Sequence, residues 1–108
     1  MRRALTDYDY ILKTIGVGEI LGQLEEKCAE LIQAASKLRR ALSEVNSTPV
    51  TVEEATKQIL EEFADVCLCA KMLGYRGDSI SVEEIQERKT LRWISRINQN
   101  HGAQTDNH

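Results

Sequence analysis

Two segments of this chain step their apolar residues by three and four with almost no interruption, and that periodicity leaves one secondary structure open to them. In the first segment Leu24, Cys28, Leu31, Ala35, Leu38 and Leu42 follow one another at intervals of four and three. In the second the same intervals carry Val52, Thr56, Ile59, Phe63, Val66, Ala70 and Leu73. Residues spaced in this way fall on one face of an α-helix and form a heptad-like seam, whereas a half-buried strand alternates in twos. Leu60, Ala64, Cys67 and Leu68 widen the second stripe, so that helix is expected to be covered on more than one side. No stretch carries a strand pattern. Aromatic residues are only 5% of the chain and there is one proline, a composition that favours helices over strands. The expected fold class is all-α.

Local signals set the boundaries. Thr6 is the expected N-cap of a short helix from about Asp7 to Ile15, which Gly16 and Gly18 interrupt. A long helix follows from about Glu19 to Val45, and Asn46 to Val50, with Pro49, breaks it. Thr51-Val52-Glu53-Glu54 is a capping box that starts the next helix, and Gly74 ends it. Tyr75 to Ile80 reads as a loop. Ser81-Val82-Glu83-Glu84 is a second capping box, opening a helix to about Asn98. Gln99 to His108 is polar and aperiodic and is expected to be a disordered tail. The chain of 108 residues is therefore read as one domain, residues 1–98, with a tail, 99–108. Three helices with stripes this wide cannot cover one another completely. Association is the remedy, so a homodimer or homotetramer around shared helical bundles is expected.

Charge and hydropathy narrow the function classes. A net charge of −3 counts against a general nucleic-acid binder, which is ordinarily basic. The longest purely apolar runs are about five residues, such as Val66 to Ala70, far short of a membrane span. Arg2 and Arg3 run into Thr6, Asp7 and Asp9 with no secretory h-region between them. The three cysteines (Cys28, Cys67 and Cys69) all occupy apolar helical positions, as buried thiols in a reducing compartment would. A cytoplasmic protein with neither nucleic acid nor membrane as partner is expected.

The chemistry is carried by two acidic stretches, Leu24-Glu25-Glu26-Lys27-Cys28-Ala29-Glu30-Leu31 and Leu60-Glu61-Glu62-Phe63-Ala64-Asp65-Val66. Glu26 and Glu30 are one helical turn apart, as are Glu62 and Asp65, and both pairs lie beside an apolar seam. Any one of these residues taken alone is most simply a solvated carboxylate. Two such helices packed together, however, would converge their carboxylates on one point, where they repel one another unless a hard divalent cation neutralises them. Oxygen-only ligands suit Mg²⁺, with Mn²⁺ as the alternative, and not zinc. Glu26, Glu30, Glu62 and Asp65 are the candidate metal ligands. On the last helix Lys89, Arg92 and Arg96 form a basic stripe with Arg88 beside it, next to Leu91, Ile94 and Ile97. Such a stripe can clamp phosphate oxygens, or be a wet surface balanced by Glu83, Glu84 and Glu87. A zinc site from Cys67, Cys69, His101 and His108 is a poor alternative, because cysteines two apart point to different sides of a helix.

Glu26-Lys27-Cys28-Ala29-Glu30-Leu31-Ile32-Gln33-Ala34, followed by Glu61-Glu62-Phe63-Ala64-Asp65-Val66, resembles the MazG-like all-α nucleoside triphosphate pyrophosphohydrolases. Dimeric dUTPases, dCTPases and phosphoribosyl-ATP pyrophosphohydrolases belong to the same superfamily, whose signature is Glu-Glu-x-x-Glu, a gap, then Glu-x-x-Asp. The resemblance spans about Ile15 to Arg96. It implies a helical bundle of the all-α NTP pyrophosphatase type, completed by oligomerisation. It also implies a Mg²⁺-dependent activity that cleaves a (d)NTP between the α- and β-phosphates, releasing a nucleoside monophosphate and pyrophosphate. Carried over by position, the resemblance assigns Glu26, Glu30, Glu62 and Asp65 to the metal. It makes Lys89, Arg92 and Arg96 substrate-binding, and Glu26 is the expected base toward the attacking water. Nothing marks the specialised phosphoribosyl-ATP substrate, and Trp93 and Tyr75 are as well suited to core or interface as to stacking on a base.

One position departs from the pattern. Where the signature has its second Glu this chain has Lys27, whose ammonium cannot coordinate a metal. Glu25 lies about 100° away around the helix for each residue of offset and cannot replace it without a shift. Two readings follow: an active pyrophosphohydrolase with a modified site, or a catalytically weakened nucleotide-binding or helical interaction module.

Overall fold

The computed structural model describes residues 2–43 and 49–106, with backbone alone at 2–6 and 102–106. Among the described residues the regular secondary structure is all α-helix, with no strand. The helices are α1 (Arg2–Ile15), α2 (Val17–Ala41), α3 (Val52–Met72) and α4 (Ile80–Asp106). They divide into two compact units, Met1–Tyr75 and Arg76–His108.

In the first unit α2 packs principally on α3, and α1 adds smaller contacts to both. The punctuation is local chemistry. Gly16 adopts φ +98°, a conformation that L side chains rarely reach. It closes α1 with an amide bond to the Leu12 carbonyl (2.8 Å), while its own carbonyl accepts from the Ile20 amide (3.1 Å) and starts α2. α1 begins at Arg2, so Thr6 lies inside it and is not its cap. Nothing among residues 2–6 breaks a helix. Gly18 likewise lies within α2. α2 ends at Ala41, four residues before the expected Val45, with Leu42 as its cap; residues 44–48, where the expected break falls, lie outside the described residues. Thr51 caps α3, its Oγ1 accepting from the Glu54 amide at 3.1 Å. At the other end Gly74 takes φ +87°. The Tyr75 and Gly74 amides bond back to the carbonyls of Ala70 (2.8 Å) and Lys71 (3.0 Å), the paired closure that a glycine just past a helix end permits.

The seam between α2 and α3 runs one residue away from the stripe that apolar character suggests. On α2 the sheltered positions step through Ile20, Leu24, Lys27, Leu31, Ala34, Leu38 and Ala41, while Cys28, Ala35 and Leu42 are exposed. On α3 they step through Ala55, Ile59, Glu62, Asp65 with Val66, Cys69, and Met72 with Leu73, while Val52, Thr56 and Phe63 are exposed. Charged side chains thus occupy seam positions that the simple periodicity assigned to Cys28 and Phe63. Ala34 and Ala55 are completely buried, and residues without long side chains let backbones approach. The expected burial of all three thiols holds only for Cys69; Cys67 is half-buried and Cys28 exposed.

Apolar cover is thin. Among the described residues the buried apolar side chains are Ile20, Ala34, Ala55 and Cys69, while Ile32 is 69% exposed, Leu60 63% and Phe63 53%. Lys27, Glu62 and Asp65 thus share the seam with Leu24, Leu31 and Ile59, while Ile32, Leu60 and Phe63 turn outward.

The second unit is α4 and its lead-in. Arg76 makes a two-pronged ion pair with Asp78 at 3.1 and 3.2 Å. Ser79, not Ser81, caps the helix: its Oγ accepts from the Val82 amide at 3.3 Å and its carbonyl from the Glu83 amide at 3.0 Å. Both serines precede the Val-Glu-Glu run, and the earlier one adds two residues, about half a turn, to the helix. α4 continues to Asp106, past the expected end near Asn98, through residues that include no proline. Residues 107–108 of the expected tail lie outside the described residues. Lys89, Arg92, Arg96, Leu91, Trp93, Ile94 and Ile97 are all exposed along it.

Candidate metal centre

Three carboxylates meet where the seam passes the middle of α2 and α3. Glu30 comes from α2, Glu62 and Asp65 from adjacent turns of α3, and each offers an oxygen within 4.8 Å of the others. The separation is comparable to the roughly 4.2 Å between opposite oxygens of an octahedral Mg²⁺ site, twice a bond of about 2.1 Å. Glu62 and Asp65 reach this point because they are seam residues, three apart on the face that α3 turns to α2.

Lys27 stands in the same cluster. One turn before Glu30 on α2, it sets its Nζ 3.5 Å from Glu30 Oε2 and, across the seam, 3.8 Å from Asp65 Oδ2. Its side chain is 30% exposed, a lysine whose stem lies along the helix interface while its ammonium meets acid from both helices. Glu30, then Asp65, raise its pKa by favouring the charged form. Glu62 lies in the same cluster, and its Oε2 is buried with no hydrogen-bond partner among the described residues. Its pKa is raised, first because its proton can be shared with the Glu30 carboxylate, then by loss of solvent, and then by repulsion from Glu30 and Asp65; Lys27 opposes the shift.

The expected ligands therefore separate. Glu30, Glu62 and Asp65 come together, whereas Glu26, exposed on α2, is not among them. Lys89, Arg92 and Arg96 lie on α4 in the second unit as exposed side chains. Among the described residues no cysteine or histidine joins a metal-holding group, and His108 of the zinc alternative lies outside them. Sequence reasoning treated Lys27 as a lost ligand and missed that it is a member of the cluster. Its signal was there in the spacing, since Lys27 falls between Leu24 and Leu31 at steps of three and four.

An all-carboxylate donor set with one unsatisfied buried oxygen suits a hard divalent cation such as Mg²⁺ or Mn²⁺. Fully ionised, three carboxylates and one ammonium leave the cluster a charge of −2, which a single such ion would neutralise. Among the described residues no helix is long and apolar enough to cross a membrane. Comparison with protein-family models, with curated proteins and with solved structures found no match.

Proposed function

We propose that this chain is a divalent-cation-dependent nucleoside triphosphate pyrophosphohydrolase of the MazG-like kind, cleaving a (d)NTP between its α- and β-phosphates. The observation that carries the reading is the convergence of Glu30, Glu62 and Asp65 from two helices on one point, in the order the two acidic motifs prescribe. These three residues would hold Mg²⁺ or Mn²⁺. A bound ion there supplies Lewis-acid polarisation of phosphate oxygens and lowers the pKa of a coordinated water. Glu26, exposed and one turn from Glu30, would be the carboxylate that orients an attacking water and accepts its proton. Lys89, Arg92 and Arg96 are exposed cationic side chains of the kind that bind phosphate oxygens.

Association belongs to the same proposal. Ile32, Leu60 and Phe63 are large apolar side chains left in water. A shallow depression of about 280 Å³ is lined by Ile32, Ala35, Ser36 and Arg39. Apolar surface of this kind on a chain with so thin a core supports a homodimer or homotetramer in which bundles are shared. A cytoplasmic location accords with the composition and the proposed nucleotide substrate.

The test is hydrolysis of a panel of canonical and modified nucleoside triphosphates with and without Mg²⁺, with monophosphate and pyrophosphate resolved as products. Metal-dependent pyrophosphate release establishes the activity and names the base. Lys27 supports a second reading, a catalytically weakened nucleotide-binding or helical interaction module, because its ammonium already pairs with two of the three acids. In that case the panel gives no turnover. Nucleotide binding then shows as a melting temperature raised by nucleotide with Mg²⁺, and a pure interaction module shows no rise.

A further inference from the structure

We propose that Lys27 is a tethered cation of the cluster, standing in for one divalent ion, so that the site takes a single metal ion on its Glu62 side. The inference rests on the reading of the carboxylates as a metal centre but not on the hydrolysis. Two observations carry it. The ammonium reaches Glu30 on its own helix and Asp65 on the facing one, at 3.5 and 3.8 Å, so a fixed positive charge already links the two helices. Glu62 Oε2 is buried with no hydrogen-bond partner among the described residues, and the ion pairs of Lys27 go to Glu30 and Asp65, so the unsatisfied oxygen is the one that Lys27 reaches only at longer range. The remaining charge of −2 matches one divalent ion and not two. The tether also differs from an ion in kind: it cannot be chelated away, so α2 and α3 keep a cross-seam charge contact whether or not metal is present.

The experiment counts ions on the full-length protein by Mn²⁺ paramagnetic resonance and follows thermal unfolding with EDTA and with Mn²⁺. Wild type should bind one Mn²⁺ per chain. Lys27→Glu should bind two, and its unfolding temperature should come to depend on metal much more steeply than that of wild type. Lys27→Met, which keeps the length of the side chain and loses its charge, should bind its first Mn²⁺ about tenfold more tightly, the effect of removing one positive charge about 5 Å from a divalent ion in a mostly aqueous dielectric. Glu62→Gln, in a chain that keeps Lys27, should lose the single Mn²⁺ and remain folded in EDTA. Two ions on wild type would overturn the proposal. So would equal affinity and stoichiometry in wild type, Lys27→Met and Lys27→Glu, or a Glu62→Gln chain that still holds the ion. If no variant, Lys27→Glu included, binds Mn²⁺ while all remain folded, the metal centre itself fails and this inference with it. One Mn²⁺ on wild type without turnover of any nucleotide would instead retire the hydrolase reading and leave the role of Lys27 standing.

Discussion

The seam between α2 and α3 and the surface of α4 are built from similar residues to different effect. Both set basic side chains beside aliphatic ones at helical spacing. In the seam, Lys27 meets Glu30 and Asp65 from two helices while the large apolar side chains Phe63 and Leu60 turn outward. On α4, Lys89, Arg92 and Arg96 and their apolar neighbours are alike exposed. A charged residue does particular chemistry when a packed neighbour strips water from it and supplies a counter-charge. Without that it keeps the ordinary solvated behaviour of its type. By this criterion one lysine of the seam says more about the site than the whole basic stripe of α4.

The largest effect is expected from the acids of the seam. Glu62→Ala or Asp65→Ala should reduce kcat/KM for the cleaved triphosphate by at least about a hundredfold, the upper end of what even outer-shell changes cost at metal sites. Helical content by circular dichroism should stay near that of wild type. Arg92→Ala on α4 should cost less, about tenfold, and mainly in KM. If Arg92→Ala proves more damaging than Asp65→Ala, the ranking of the two regions is inverted and the chemistry lies on α4. Next in size comes packing: Ile20→Ala, at one of the few buried apolar positions, should destabilise by about 2–4 kcal/mol in urea titrations. A loss below about 1 kcal/mol there would mean that this core contributes little to stability and that association holds the fold.

A smaller effect, but one with a definite sign, follows from Glu62. Its pKa is higher in the folded chain than in the unfolded one. Between those two values the native state holds a proton that the unfolded state has released, so stability falls as pH rises through the ordinary glutamate range to the raised value. Above that window the cost is fully present, and below it the cost is gone. Metal-free Glu62→Gln should therefore melt above wild type at neutral pH, and the two should converge in acid. A difference that does not change with pH would show that the Glu62 charge is not its origin. The smallest effect belongs to Arg76→Ala, which removes the exposed pair with Asp78. Its change in unfolding free energy should stay within about 1 kcal/mol, and a larger loss would mean that the lead-in to α4 is held by more than that pair.

How much of this was legible from the residues depends on the range of the interaction concerned. The caps at Thr51 and Gly74 involve donors and acceptors within a few residues of one another, and they appear where the sequence signals them. The start of α4 was misread by two residues because Ser81, with Glu84 three residues on, carries the capping-box pattern, whereas Ser79 caps the Val82 amide without one. Phe63 was assigned to the seam because it continues the spacing of four and three from Ile59 to Val66, yet Glu62 and Asp65 hold the inward positions. The acidic motifs pointed to the cluster, but Glu26 matched the pattern as well as Glu30 did, and only Glu30 faces the α3 carboxylates.

The amino-acid sequence by itself determined that the chain is helical, where α3 begins and ends, and that acids recur a turn apart on two helices. Those outcomes depend on hydrogen bonds, sterics and spacing within about one turn of helix. Which side of each helix turns inward was decided only by tertiary packing. On α2, Leu24, Leu31 and Leu38 belong equally to two stripes, one completed by Cys28 and Ala35 and the other by Lys27 and Ala34. The chain folds on the second. An alanine permits close approach, and a lysine can lay its stem along the interface while its ammonium meets the carboxylates of the opposite helix, a compensation that exists only once that helix is in place.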